Sequence, residues 1–145
     1  MGRKIGVVFD FDGVLGDTLG AMWQGCLNVF KCGGGTPPRN RCEVFSGLTE
    51  SFSVYYGIRG VRGTKEQLTE WYFAAAKHDE APLFSDVVPV IETLACHGVT
   101  LGIVSGHYHA KLEARVRAAG LWGHFRYFQG GAHHKVKALQ TFGVA

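Results

Sequence analysis

No stretch of this sequence approaches the roughly 18 consecutive apolar residues that a membrane-spanning helix needs. The first apolar run ends at Asp10, and a carboxylate there excludes a signal peptide's apolar segment. An N-terminal myristoylation signal needs Ser or Thr at position 6, where Gly6 stands. Runs of like charge are missing as well. The 15 Lys and Arg and 12 Asp and Glu are scattered, and the net charge is only +3. That balance offers no footprint for nucleic acid or an anionic membrane surface, so neither is expected as a partner. Cysteine is sparse and never falls in a C-x-x-C pair, which leaves zinc without a ligand set. With nothing pointing to secretion, Cys26, Cys32, Cys42 and Cys96 are expected as free thiols in a cytoplasmic protein. The histidine pairs His107/His109 and His133/His134 have no Cys or Glu companion at ligand spacing, and are read as polar surface groups.

What remains is an ordinary globular composition, 46% hydrophobic and 19% charged. A length of 145 residues suits one domain with a small insertion. Lys4 to Phe9 is a short β-branched run bounded by Gly2 and the Asp12-Gly13 turn signal, and predicts a buried strand. Leu19 to Phe30 suits a helix, which Gly33 to Pro38 breaks. Glu43 to Tyr56 fits one or two short helices. Thr64 and Gln67 have the spacing of a capping box, opening a helix to about Lys77. Ser85 is placed to cap a helix that Gly98 ends. Val99 to Val104 is a second apolar strand, followed by a helix from about His107 to Ala119. Phe125 to Phe128 is a third strand, and a last helix covers about His133 to Phe142, with Gly143 ending it and Val144 beginning a further apolar segment. Short apolar strands alternating with helices predict an α/β fold with a Rossmann-like parallel sheet. The helical stretch after strand one looks inserted.

In open parallel sheets, ligands bind beyond the carboxyl ends of the strands. Two such ends carry polar residues here. Asp10 and Asp12 lie two apart in an extended segment, so both face one side, and Gly13 permits a tight turn. At the second end, Ser105-Gly106 offers a hydroxyl and an unshielded backbone N–H, suited to phosphoryl oxygens.

These residues carry a resemblance. Phe9-Asp10-Phe11-Asp12-Gly13-Val14-Leu15-Gly16-Asp17-Thr18 resembles the first motif of the haloacid dehalogenase superfamily, in the branch of phosphoglycolate phosphatase and β-phosphoglucomutase. Leu101 to His107 resembles the second motif, a hydrophobic strand ending in Ser or Thr. Lys135 resembles the third-motif lysine, with Lys137 as the other candidate. Ala81 to Leu94, and Gly120-Leu121 with Phe125, also resemble that branch.

The resemblance implies an α/β core at 1–18 and 81–145, with a helical cap at 19–80. It implies a Mg²⁺-dependent phosphatase acting on a small phosphorylated metabolite. Asp10 would be the nucleophile that forms an aspartyl-phosphate, and Asp12 the acid/base. Ser105, Gly106 and Lys135 would hold the phosphoryl group. Mg²⁺ would sit on the Asp10 carboxylate and the Asp12 carbonyl. Cap residues would choose the substrate, with Tyr55, Tyr56, Arg59, Arg62 and Lys65 as candidates. A phosphomutase, or a non-catalytic relative that binds a phosphate ester or a partner protein, is the alternative. The family's fourth motif, Gly-Asp-x-x-x-Asp, has no counterpart, since no Asp or Glu follows Glu113. The expectation is therefore a C-terminally truncated, incomplete core with weak Mg²⁺ binding. In the family's strand order, 5-4-1-2-3, that core would expose an edge of strand one, so that the chain would self-associate through it, be marginally stable, or depend on the missing segment supplied in trans.

Overall fold

The computed structural model describes residues 6–47, 52–132 and 135–142. In chain order the elements are β1 (Gly6–Phe9), α1 (Leu19–Gly33), α2 (Arg41–Gly47), α3 (Phe52–Ile58), α4 (Lys65–Ala75), α5 (Val87–Cys96), β2 (Thr100–Val104), α6 (His109–Ala118), β3 (Phe125–Gln129) and α7 (Lys135–Thr141). Short 3₁₀ turns sit at His78–Glu80 and Trp122–His124. The expected start of strand one at Lys4-Ile5, His133-His134 and Gly143-Val144 lie outside the described residues. Among the described residues, no helix is long and apolar enough to cross a membrane.

The chain divides into two compact units, residues 1–17 with 82–145, and residues 18–81. In the first, the three described strands are parallel, in the order β1-β2-β3. β1 pairs with β2 from Gly6 opposite Thr100 to Phe9 opposite Ile103. β2 pairs with β3, with a register slip between Leu101 and Gly102. Alternation along β2 sends side chains to two faces. Leu101 and Ile103 join Val87 and Ile91 of α5, Leu112 and Val116 of α6, and Phe11, Leu15 and Leu121 in the main core. Val104, on the opposite face, packs with Ala132 and Ala138 of α7. Burial on both faces is why β2 reads as a continuous apolar run.

Two helix starts differ from expectation. α5 is capped at Asp86 and not Ser85, because the Val87 N–H bonds the Phe84 carbonyl in a turn that carries the chain past Ser85 (3.1 Å). α6 starts at His109, since Tyr108 is extended (ψ 128°) and His107 bonds elsewhere. Gly98 follows α5 in the left-handed region, as expected (φ 71°).

The chain leaves and re-enters this unit at neighbouring points. Asp17 N–H donates to the Pro82 carbonyl at 2.8 Å, and Phe84 N–H to the Leu15 carbonyl at 3.0 Å. Among its described residues, the regular elements of the excursion between them are all helices. In the ambiguous stretch from Glu43 to Tyr56, the described residues belong to two helices, α2 and α3. Cys26, Val29, Phe30, Val44, Tyr55, Tyr56, Val61 and Leu68 form its core. α1 and α4 approach closely, because Gly25 has no Cβ to strike Ala76 and Tyr72. Thr64 and Gln67 form the capping box of α4. All four cysteines are free thiols, and burial pushes the Cys26 thiol above its ordinary pKa.

Candidate active site

The segment after β1 is a tight loop anchored by its middle residue. The Phe11 carbonyl accepts from the N–H groups of Val14, Leu15 and Gly16, at 3.2, 2.9 and 2.9 Å. Gly13 N–H returns to the Gly16 carbonyl at 2.9 Å, with Gly13 in the left-handed region (φ 74°) where a side chain would be strained. The Phe11 side chain is fully buried in the core. Asp10 and Asp12 flank it and stay partly exposed, at 34% and 22%. Local backbone bonding thus holds two carboxylates beside the carboxyl end of β1, where open sheets bind ligands.

Each carboxylate has its own partner. Asp10 Oδ1 accepts from the Phe11 N–H at 2.7 Å, and Asp10 Oδ2 is ion-paired with Lys135 Nζ. Lys135 opens α7, far away in sequence, and its side chain remains 46% exposed. Lys137 lies two residues on, which places it on the opposite side of the helix. Asp12 Oδ2 lies 3.4 Å from His107 Nδ1, and the His107 side chain is only 7% exposed.

At the end of β2, Ser105 is fully buried. Its N–H donates to the Gln129 carbonyl and its carbonyl accepts from Ala132 N–H, both at 2.9 Å. The Ser105 Oγ accepts from His107 N–H at 3.2 Å. A serine hydroxyl that accepts one bond still has its own hydrogen to donate. Gly106 is exposed, and a Cβ there would meet nothing within 4 Å.

The structure therefore brings Asp10 to Lys135 directly. Asp12 is linked through His107 to Ser105. His107 is the residue that sequence reasoning missed as a partner of the acid pair. In sequence it reads, with His109, as a polar surface group, yet its ring is buried and its Nδ1 faces a carboxylate. The one available signal was its place immediately after the Ser105-Gly106 strand end.

A family model described as haloacid dehalogenase-like hydrolase matches residues 7–137. Solved structures share the fold. One is a haloacid dehalogenase-like family hydrolase from Streptococcus pneumoniae, at 20% identity and a TM-score of 0.69, covering 99% of this chain and 73% of that one. Another, from Haemophilus somnus, is described as a predicted phosphoglycolate phosphatase, at 16% identity and a TM-score of 0.67, covering 99% and 74%. A third is Protein Tyrosine Kinase A of Mycobacterium tuberculosis, at 19% identity and a TM-score of 0.71, covering 97% and 68%. No curated protein matches the chain at a significant level. At these identities the structural likeness speaks for the fold alone, and one fold hosts several chemistries.

Proposed function

The chain belongs to the haloacid dehalogenase-like hydrolases, and from that premise we propose that it hydrolyses a small phosphate monoester through an aspartyl-phosphate on Asp10. The observation that carries this reading is the Asp10-Phe11-Asp12 loop, with Lys135 paired to the Asp10 carboxylate. A carboxylate becomes a competent nucleophile toward phosphorus once it is held in line. The Phe11 N–H fixes one Asp10 oxygen.

In the first step an Asp10 oxygen bonds to phosphorus and the ester P–O bond breaks. The leaving oxygen takes a proton from the Asp12 carboxyl. In the second step water attacks the same phosphorus and gives its proton to Asp12. The Asp10–phosphorus bond breaks, which restores the Asp10 carboxylate and releases inorganic phosphate. Lys135 and the Ser105 hydroxyl offset negative charge on the transferring group. Asp10's carboxylate and Asp12's main-chain carbonyl are hard oxygen donors, the kind Mg²⁺ takes, and the ion would add positive charge at the phosphoryl oxygens when bound. We read the helical unit at 18–81 as a cap that selects the substrate.

The test is phosphate release from a panel of small phosphate monoesters with Mg²⁺ present. Release by the native chain, abolished in a folded Asp10→Asn variant, is expected. A folded native chain that hydrolyses none of them, or an Asp10→Asn variant of undiminished activity, overturns the proposal.

A further inference from the structure

His107 is held more firmly than a loop histidine needs to be. Its N–H donates to Ser105 Oγ at 3.2 Å, and its carbonyl accepts from Gly131 N–H at 2.7 Å. Its ring lies against that of Phe11, with centroids 5.9 Å apart and planes tilted by 48°. The neighbouring loop presses close. A Cβ at Gly130 would lie 2.8 Å from the His107 carbonyl oxygen and 2.4 Å from the His109 Cα. The residue is thus fixed at its amide, its carbonyl and its ring, and the ring presents Nδ1 to Asp12 Oδ2 at 3.4 Å.

Asp12, by contrast, carries its carboxylate on two rotatable bonds, and an acid/base group works only when its oxygen is aimed at the proton it moves. A rigid donor against one oxygen sets the aim of the other. We propose that His107 is a positioning residue for Asp12, holding its carboxylate in the orientation that proton transfer needs. The inference rests on the acid/base reading of Asp12. It requires a proton on Nδ1, carried by the imidazolium or by the Nδ1–H neutral form.

The test compares two esters whose leaving groups differ in basicity. An alkyl phosphate needs its leaving oxygen protonated, whereas p-nitrophenyl phosphate releases a stable anion. In His107→Ala, kcat on the alkyl ester is expected to fall on the order of 100-fold, the scale of a general-acid contribution. KM should change little, and the loss on p-nitrophenyl phosphate should be much smaller. His107→Asn, which retains a donor near the position of Nδ1, should recover most of the activity. Equal losses on both esters, or an Asn variant no better than Ala, overturn the proposal. A second measurement separates this inference from the hydrolase reading. The ring-nitrogen NMR shifts of His107 are expected to move at Nδ1 in Asp12→Asn, whether or not any ester is turned over. An unchanged Nδ1 resonance overturns the contact itself. A native chain without turnover but with the Nδ1 change keeps the contact and removes the hydrolase reading.

Discussion

At the scale of single residues, the site is two carboxylates with different neighbours. Asp10 has a backbone N–H at one oxygen and a lysine ammonium at the other. Asp12 has a buried histidine ring. The acid pair was legible in the sequence, because a D-x-D-G pattern at the end of an apolar run has few other uses. The lysine was legible only as a choice between Lys135 and Lys137, and in the structure it is Lys135 that pairs with Asp10. His107 was not legible, because no local pattern tells which side chains a strand end and a distant loop bring together. If Lys135 offsets charge on the transferring group, Lys135→Ala should lower kcat by roughly 100- to 1,000-fold, as loss of a preorganised charge partner does. Lys137→Ala should leave kcat within about twofold, since a surface position away from the site costs little. Steady-state kinetics of the two variants check this. Similar losses from both substitutions would deny Lys135 its special place.

Among the elements, local chemistry explains what could be foreseen. The Thr64/Gln67 capping box declares itself by spacing, and both of its bonds are present. The start of α6 could not be foreseen, because tertiary bonds overrule it. His107 N–H goes to Ser105 and its carbonyl to Gly131, so the helix begins two residues late. The same loop contact yields a stability prediction. A Cβ at Gly130 would have backbone atoms as its three nearest neighbours, at 2.4 to 2.8 Å, and these cannot rotate away as a side chain would. Gly130→Ala should therefore cost about 1–3 kcal/mol, the usual penalty of overpacking. Gly123→Ala, where a Cβ meets nothing within 4 Å, should fall within about 0.5 kcal/mol of the native chain. Urea unfolding of both variants measures the difference. Equal stabilities would mean that the loop at Gly130 yields at no cost.

For the molecule as a whole, the sequence pattern conveyed the α/β class and its parallel sheet. Apolar runs ending in polar residues are what a doubly covered parallel strand requires, and β2 is buried on both faces. The helical stretch after β1 reads as inserted because helix-forming periodicity there interrupts the strand–helix alternation, and it falls within the unit at 18–81. The boundaries fall at Asp17 and Pro82, where a backbone hydrogen bond closes the gap. The core of the excursion is aromatic and apolar packing, which carries no ligand motif. The proposed nucleophile, Asp10, lies in the other unit. The most direct measurement incubates the chain with radiolabelled acetyl phosphate and Mg²⁺, quenches it in acid, and maps the label. The account predicts acid-stable, hydroxylamine-sensitive label on the peptide that holds Asp10, and none in Asp10→Asn. Phosphate release with no label on that peptide, or label that persists in Asp10→Asn, would contradict it.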